Sequence, residues 1–283
     1  MEIIRKPKRM TAWVNSQAAL GKTICLVPTM GYLHDGHLAL VRKGCEWADH
    51  VVVSLFVNPI QFGPGEDLDS YPRSFERDAA LSEKVGASVL FSPEAIDLYP
   101  KGFQTTVTVK GLTSGLCGGS RPHHFDGVTT VVAKLFHIVK PHSAVFGQKD
   151  LQQLAVIKKM VSDLNWDIDI LGHPIVREAD GLAMSSRNSY LNEEERLKAL
   201  CLHDAIQFAR KKVRAGSQNA ASLEEDIECR IRGCNGVVID YVSIVNAETL
   251  QKCSVINNDS VLALAVKIGR TRLIDNGFLK AEA

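Results

Sequence analysis

The chain has 283 residues, 45% of them hydrophobic and 23% charged, and its formal net charge is +1. This composition is typical of a globular protein with one large or two modest domains. The balanced charge excludes the basic field that non-specific nucleic-acid binding needs, and no apolar run approaches the roughly 18 residues of a membrane span. No apolar segment of signal-peptide type follows the basic N-terminus. We therefore expect a cytoplasmic protein that binds neither nucleic acid nor membrane.

The cysteines give no sign of a metal or disulfide framework. There are seven, an odd number, and none forms a Cys-x-x-Cys pair. Cys25 and Cys45 lie on apolar faces and are predicted to be small core residues. Only Cys117, in a glycine-rich loop, departs from this pattern.

Short apolar runs alternate with segments of helical spacing in the first part of the chain. This alternation predicts right-handed βαβ crossovers and a parallel sheet covered by helices on both faces. The residues Tyr99 to Lys110, rich in Thr and Val, are predicted to form an extended or hairpin insertion. The predicted strands are Thr23 to Val27, Val51 to Leu55, Ala87 to Phe91 and Ala144 to Phe146. The predicted helices are Leu38 to Ala48, Phe75 to Val85, Val131 to Val139 and Leu151 to Leu164.

The character of the sequence changes after Pro174 to Arg187. Glu193 to Arg214 is predicted to be one long charged helix, ended by Gly216 and the polar residues that follow it. A helix at Leu223 to Arg232 and strands at Val237 to Val245 and Val261 to Val266 come next. We predict an α/β fold with two domains. They are a Rossmann-like parallel-sheet domain over residues 1–175, which binds the ligands, and a smaller C-terminal α+β lid domain over residues 176–283.

The most informative stretch is Pro-Thr-Met-Gly-Tyr-Leu-His-Asp-Gly-His, which runs from Pro28 to His37 directly after the first predicted strand. Asp35 is predicted to cap the helix that follows. The free N–H groups and the positive dipole end of a helix start attract phosphate oxygens, and His34 and His37 add side-chain donors. The stretch therefore predicts a polyphosphate site.

Other polar blocks follow further predicted strands, where open α/β sheets bind ligands. Lys149 is a flexible point charge suited to a phosphate, and Arg187 can hold phosphate oxygens bidentately. Met30 and Phe62 are predicted to supply apolar wall. The blocks are Phe56 to Phe62, Asp67 to Arg73, Phe146 to Leu154 and Asp180 to Asn188.

His-x-Gly-His at a strand-to-helix turn resembles the motif of the nucleotidyltransferase superfamily. The full ten-residue string, together with the other blocks in their order and spacing, resembles the pantothenate synthetase family from near residue 22 to Asn276. The resemblance implies a ligase that uses ATP to join pantoate to β-alanine through a pantoyl adenylate, releasing pyrophosphate and AMP. It also implies Mg²⁺ and a homodimer.

The resemblance also implies site residues. His37, regarded in the family as the proton donor, would be catalytic together with His34, Lys149, Ser186 and Arg187. Gln61 and Gln153 would bind pantoate, with Gln61 also close to β-alanine. The implied ATP-binding residues are Met30, Gly31, Tyr32, Leu33, His34, Asp35, Gly36, His37, Gly147, Gln148, Lys149, Asp150, Val176, Met184, Ser185, Ser186 and Arg187. Asp78 matches a carboxylate near the metal, although an exposed helix acid is an almost equally good interpretation.

Some interpretations stay open at this point. The adjacent His123 and His124 have the residue type of metal ligands, but sequence neighbours rarely converge on one ion. Cys117 stands where many relatives have Glu, which removes any salt bridge or dimer contact made by that carboxylate. A nucleotidyltransferase acting on a phosphorylated acceptor and an ATP-binding module without catalysis are the alternative functions.

Overall fold

The structure is a computed structural model that describes residues 1–280, so residues 281–283 of the predicted C-terminal domain lie outside it. It contains two sheets, one of six strands and one of three. The strands of the larger sheet are β1 (Glu2–Ile4), β2 (Ile24–Thr29), β3 (His50–Leu55), β4 (Val89–Phe91), β5 (Ser143–Gly147) and β6 (Asp169–His173).

All six strands are parallel, in the order β1-β4-β3-β2-β5-β6. The chain adds β3 and β4 on one side of β2 and then places β5 on the other side. Such a topological switch point is where open α/β sheets bind ligands. The carboxyl ends of β2 and β5, which carry the His-x-Gly-His and Gly-Gln-Lys-Asp motifs, are therefore neighbours.

Helices cover both faces of this sheet, as the alternating pattern predicts. They are α1 (Pro7–Ala19), α2 (Asp35–Trp47), α3 (Phe75–Lys84), α4 (Ala95–Leu98), α5 (Leu116–Ser120), α6 (His124–Val139) and α7 (Leu151–Asp163). On one face α6 and α7 bury Val132 and Ile157, and on the other α2 buries Val41 against Val27 and Val53. Strands buried on both faces explain why the apolar runs are continuous.

The segment Tyr99 to Lys110 forms no strand, so the strand preference of its Thr and Val residues does not decide its structure. The Val107 N–H donates to Thr130 Oγ1 at 3.0 Å, and the Val107 carbonyl accepts from the Thr129 hydroxyl. Side chains of α6 thus take the place of a neighbouring strand. The sequence analysis also did not predict α1 or the edge strands β1 and β6.

The smaller sheet is antiparallel and lies in the C-terminal part of the chain. The elements here are α8 (Glu193–Ala199), α9 (Cys201–Arg214), α10 (Ala220–Arg232), β7 (Val237–Asn246), β8 (Ser260–Ile268) and β9 (Thr271–Phe278). The strands, in the order β7-β8-β9, pack on α9 and α10 around Leu202, Ile206, Ile227 and Leu262. Within residues 1–280 no helix has the length and apolar character needed to cross a membrane.

One prediction for this part of the chain needs correction, and one strand was not predicted. The single long helix is divided at Leu200, whose N–H donates to the Leu197 carbonyl three residues back at 3.3 Å instead of continuing the α-helical pattern. Strand β9 was missed because it carries Asp275 and Asn276, which strands disfavour. Arg177 compensates the buried Asp275 with a bidentate ion pair of 2.7 and 2.9 Å.

Candidate active site

The turn after β2 is shaped by a buried carboxylate. Gly31 and Tyr32 both have positive φ, of 91° and 52°, which lets the chain reverse direction tightly. The Asp78 carboxylate, 1% exposed on α3, accepts the N–H groups of Tyr32 at 2.7 Å and Leu33 at 2.8 Å. Asp78 therefore holds the turn that carries the two histidines.

The same contacts bear on whether Asp78 can serve as a metal ligand. Each of its oxygens is already bonded to a backbone N–H, and Asp78 lines none of the cavities described below. No group of three or more His, Cys, Asp or Glu side chains within residues 1–280 is arranged to hold a metal ion. Asp78 does not fit the metal role that the resemblance implied.

His34 and His37 stand at the start of α2. The N-cap is His34, not Asp35 as predicted, and Asp35 instead places its negative charge in the first turn near the positive dipole end. The His34 N–H donates to His37 Nδ1 at 3.3 Å, and the two ring centroids lie 4.0 Å apart. A backbone N–H can only donate, so Nδ1 of His37 is unprotonated and its neutral ring carries the proton on Nε2.

Both imidazoles are neutral at physiological pH. Burial, reinforced by the positive charge of Lys149, lowers the pKa of His34 to about 4. Burial, together with His34 and Lys149, also holds the pKa of His37 well below its usual value. The Nδ1 atom of His34 is buried and, within residues 1–280, has no hydrogen-bond partner. An unpaired buried polar atom is costly, which favours its use by a ligand.

These side chains face a cavity of about 200 Å³ at the switch point. Helix α6 supplies four of its apolar side chains and Phe56 another, Met30 lines it as predicted, and Phe62 is not part of it. The α6 residues are Val128, Val131, Val132 and Leu135. Of the predicted site residues, the structure gathers Met30, His34, Gly36, His37, Gln61, Gly147, Lys149, Asp150, Gln153, Val176, Met184, Ser185, Ser186 and Arg187 around it. Those that line neither this cavity nor the cleft described next are Gly31, Tyr32, Leu33, Asp35, Asp78 and Gln148.

A larger cleft of about 980 Å³ lies between the two sheets. Lys149, Asp150, Gln153 and Arg187 line both spaces, so the cavity and the cleft share a wall. The combined space has apolar walls, a cluster of donors at the helix start and several further charges. It suits a ligand with a polyphosphate and a smaller, partly apolar ligand beside it.

Lys149 is positioned from the C-terminal sheet. It lies in a 3₁₀ turn, Gln148–Asp150, that links β5 to α7. The buried Asn276 of β9 donates its side-chain N–H groups to the carbonyls of Gln148 at 2.9 Å and Lys149 at 2.8 Å. Asp150 occupies the predicted N-cap position of α7, but its side chain makes no capping hydrogen bond. Asn276 therefore contacts two of the predicted site residues, and the sequence analysis did not identify it.

Gln61 is held by residues that the sequence analysis did not assign to the site. It ends a 3₁₀ turn, Pro59–Gln61, and its side-chain oxygen accepts from Asn58 Nδ2 at 2.9 Å. His124 Nδ1 lies 2.8 Å from the Gln61 carbonyl, and burial with the nearby Arg121 cation lowers the pKa of His124 to about 4. A neutral His124 therefore donates to Gln61.

The metal interpretation of the adjacent histidines is not supported. His123 is exposed and contacts Asp126 at 3.1 Å, whereas His124 is turned inward towards Gln61 and Arg121. The two rings have different partners and share no further metal-ligating side chain among the residues that the structure describes. They act as a surface residue and a positioning residue.

The arginines beside the site are paired with carboxylates of the loop that follows β3. Arg187 binds Asp67 bidentately, with both distances 2.8 Å, and its guanidinium lies 5.6 Å from the Tyr71 ring centroid. Arg121 binds Glu66 in the same way at 2.6 Å for both contacts. Arg187 therefore lines the cavity as predicted, but one edge of its guanidinium is occupied by Asp67.

The loop after β6 is joined to the histidine turn through Ser186 and is hydrogen-bonded internally through Ser185. The Ser186 hydroxyl donates to the Tyr32 carbonyl at 3.2 Å, and Ser185 Oγ accepts the Arg187 N–H at 3.3 Å. The Val176 carbonyl accepts the Met184 N–H at 3.0 Å. Val176, Met184, Ser185 and Ser186 of this loop line the cavity.

Cys117 contacts the C-terminal sheet instead of forming a salt bridge. Arg272 Nη2 lies 3.3 Å from its sulfur, and the Tyr241 hydroxyl lies at 3.4 Å. Arg272 is neutralised by Asp240 at 2.6 Å, and Asp240 also accepts from Ser120. The charge balance of Arg272 is therefore met without a carboxylate at position 117.

A parallel α/β sheet whose switch point gathers neutral histidines, a lysine and, within residues 1–280, an imidazole nitrogen without a hydrogen-bond partner is typical of phosphate-binding enzymes of the α/β class. Residues 2–278 match the family model described as Pantoate-beta-alanine ligase. The chain belongs to this family. It is 54% identical over 282 residues to the pantothenate synthetase of Geobacter sulfurreducens, with 100% of both chains covered. It is also 54% identical over 276 residues to that of Heliobacterium modesticaldum, with 98% of each covered.

Solved structures agree with this assignment and with both sheets. Pantothenate synthetase from Thermus thermophilus superposes with a TM-score of 0.94 at 42% identity, covering 99% of this chain and 100% of that one. Pantoate-beta-alanine ligase from Francisella tularensis, complexed with beta-gamma ATP and β-alanine, has a TM-score of 0.81 at 33% identity, covering 100% and 99%. The predicted fold class and family are confirmed.

Proposed function

We propose that this chain joins pantoate to β-alanine at the expense of ATP, through a pantoyl adenylate, and releases pyrophosphate and AMP. The family match over nearly the whole chain and the ATP and β-alanine complex of the Francisella relative support this reaction. The observation that carries it is the single cavity shared by His34, His37 and Lys149 with Gln61 and Gln153. Side chains that can donate hydrogen bonds to phosphate and side chains with neutral amides line the same cavity, as a reaction between an acid and a nucleotide requires.

The first step needs positioning and charge stabilisation more than covalent chemistry. The pantoate carboxylate attacks the α-phosphorus in line, and the bond to the pyrophosphate oxygen breaks. Negative charge then moves onto pyrophosphate. We propose that Nε2–H of His37, the imidazole of His34 and the Lys149 ammonium receive that charge as hydrogen-bond donors. His37 is a suitable donor because its Nδ1 already accepts the His34 N–H.

In the second step the neutral amine of β-alanine attacks the acyl carbon, and AMP leaves. A free alkyl ammonium has a pKa of about 10.4, so the amine has to lose a proton before attack. The apolar side chains that α6 contributes to the cavity protect an adenylate from water. We assign pantoate to Gln61 and Gln153, because neutral amides orient a hydroxyl or carboxylate without neutralising the nucleophile.

The remaining assignments complete the proposal. ATP lies along the cavity-lining residues of the His-x-Gly-His turn and of the 3₁₀ turn Gln148–Asp150. Asp150 contacts the ribose, and the Val176 backbone lies near adenine. Ser186 and Arg187 close the phosphate end. We take residue 175 as the boundary between the ligand-binding domain and the lid. Mg²⁺ enters only as the counter-ion that arrives with ATP, since Asp78 does not fit it. We further propose a homodimer in the cytoplasm.

The test is exchange of labelled pyrophosphate into ATP with pantoate and magnesium present and β-alanine absent. Exchange that requires pantoate is the expected result, because adenylate formation is reversible. In a parallel reaction, addition of β-alanine should yield pantothenate and AMP. Absence of exchange in a protein that binds ATP would refute the acyl-adenylate reaction and favour transfer to a phosphorylated acceptor.

A further inference from the structure

The side-chain amide of Gln61 belongs to a buried hydrogen-bonded chain. Asn58, which is 1% exposed, donates from Nδ2 to Gln61 Oε1 at 2.9 Å and to the Gly127 carbonyl at 3.0 Å. On its other side Asn58 Oδ1 accepts from the Tyr99 hydroxyl at 2.8 Å. Every polar atom of the Asn58 amide is therefore used.

The Gly127 carbonyl fixes which groups donate and which accept in this series of hydrogen bonds, because a carbonyl can only accept. Asn58 has to turn its NH₂ group towards Gly127, which leaves Oδ1 for Tyr99 and makes the tyrosine hydroxyl the donor. The second N–H of Asn58 needs an acceptor, so Gln61 has to present its oxygen to Asn58. The amide orientation of Gln61 thus follows from chemistry and not from an arbitrary choice between nitrogen and oxygen.

Because its oxygen faces Asn58, Gln61 directs its N–H groups towards its other neighbours. Its Nε2 lies 3.3 Å from the sulfur of Met30, a weak acceptor that takes one hydrogen. The other hydrogen remains for whatever occupies the cavity that Gln61 lines. A group that only donates binds carboxylate or hydroxyl oxygens and repels an ammonium.

Neighbouring residues hold the hydrogen-bonded side chains of Tyr99, Asn58 and Gln61 in place. A Cβ at Gly127 would lie 2.6 Å from Gln61 Cα, so glycine is what lets α6 approach the turn closely. The Tyr99 ring packs on Phe56 and Phe103, with centroid distances of 6.2 and 5.1 Å. Burial raises the pKa of Tyr99, so its hydroxyl stays protonated and keeps donating.

We propose that Tyr99 is a positioning residue that acts through Asn58 to make Gln61 a hydrogen-bond donor for an oxygen of the acid substrate. Gln61 therefore discriminates for the hydroxy acid and against the amine. This inference rests on the proposed function, since the acid substrate is pantoate. It gives the segment after α4, which forms no strand, a role in the site.

The test compares KM values for pantoate and for ATP in the exchange reaction. Tyr99→Phe keeps the ring and removes only the donor, which leaves Asn58 Oδ1 buried without a hydrogen bond. We expect KM for pantoate to rise roughly 5- to 30-fold, with KM for ATP changed less than about twofold. In a Gln61→Ala background the same substitution should change KM for pantoate by less than about twofold, because the residue it acts through is gone.

Asn58→Asp tests whether Gln61 has to present its N–H groups, and not its oxygen, to the ligand. A carboxylate at position 58 only accepts, so the hydrogen bond to the Gly127 carbonyl is lost, and Gln61 has to turn its N–H groups towards position 58 and its oxygen towards the ligand. We expect KM for pantoate to rise more than about 100-fold, the combined effect of a lost hydrogen bond and a repulsive oxygen. Thermal unfolding and ATP binding check that each variant is folded.

Phe103→Leu is the matched control, because it disturbs packing around Tyr99 without touching the hydrogen bonds. It should leave KM for pantoate within about twofold of wild type. An unchanged KM for pantoate in Tyr99→Phe, or an equal effect with and without Gln61, would overturn the positioning role while leaving the ligase reaction intact. A wild-type protein without pantoate-dependent exchange would instead refute the proposed function.

Discussion

Two basic regions border the joined cavity and cleft, and they differ in how their polar groups are satisfied. The first, which we call the phosphate corner, consists of His34, His37 and Lys149. The second, the arginine wall, consists of Arg121 and Arg187 with their partners Glu66 and Asp67. In the wall each guanidinium binds a carboxylate bidentately, whereas in the corner His34 Nδ1 is buried and, within residues 1–280, unpartnered.

The difference separates groups prepared for a ligand from groups that hold the protein together. Paired charges are already compensated, and breaking a pair leaves a carboxylate without its cation. A buried imidazole nitrogen without a partner in the described part of the chain, such as Nδ1 of His34, costs stability in the free protein and can gain a partner when a ligand binds. We therefore expect substitutions in the corner to affect chemistry, and substitutions of the Arg121–Glu66 pair of the wall to affect stability.

The largest expected effect is on chemistry in the corner. His37→Ala removes a donor aimed at the departing pyrophosphate and should lower pantoate-dependent exchange about 100- to 1,000-fold, the usual cost of one preorganised donor. Thermal unfolding should change little. The exposed His123→Ala is the control and should retain activity within about twofold. A His37→Ala protein with activity within tenfold of wild type would contradict the division between corner and wall.

The pH dependence of stability sharpens the comparison, since His34 lies in the corner and His124 beside the wall. Burial lowers the pKa of each to about 4 from an ordinary 6.5, so the unfolded chain binds more protons between these values. The stability associated with each neutral ring is complete above pH 6.5 and is lost as pH falls towards 4. The loss is about 3 kcal/mol per histidine.

Urea unfolding at a series of pH values measures this loss. His34→Asn and His124→Asn should each reduce the slope between pH 6.5 and pH 4 relative to wild type, because one titrating ring has been removed. At neutral pH only His34→Asn should abolish the phosphate contact. Equal slopes in wild type and both variants would show that the two rings are not held neutral by burial.

The third effect concerns stability in the wall. Arg121→Met leaves the partly buried Glu66 without its cation and should lower the free energy of unfolding by about 1–3 kcal/mol. The double variant with Glu66→Gln should recover part of that loss. Lys159→Met, which breaks the exposed pair with Asp163, is the control and should cost less than about 1 kcal/mol. If Arg121→Met and Lys159→Met lowered the free energy of unfolding by similar amounts, the Arg121–Glu66 pair would contribute no more to stability than an exposed ion pair.

The sequence was sufficient for the strand-helix alternation and for the motifs, because these depend on local periodicity and on turns. It also predicted a site at the strand ends, and the pairing of β2 with β5 makes the motifs at the ends of these two strands neighbours. It did not reveal that Asp78 would bind a turn 45 residues away, because a helix acid has the same local pattern whether exposed or buried.

The partners that orient the site were missed for a related reason. Asn58 lay inside a recognised block, but only the folded chain shows that it faces Gly127 and Tyr99. Asn276 lies in strand β9, which was not predicted because it contains residues that strands disfavour. Both act over long sequence separations, through amides whose role depends entirely on what the fold places opposite them.

The smallest expected effect tests whether the C-terminal sheet positions the corner. Asn276→Ala removes the two hydrogen bonds that hold the carbonyls of Gln148 and Lys149, each worth about 1 kcal/mol. The turn should relax and raise KM for ATP about five- to tenfold, with KM for pantoate nearly unchanged. Asn15→Ala, at an exposed amide bonded to Lys140, is the control and should alter neither value. If Asn276→Ala raised both KM values equally, β9 would support the cavity as a whole, and Lys149 would owe its position to β5 and α7 alone.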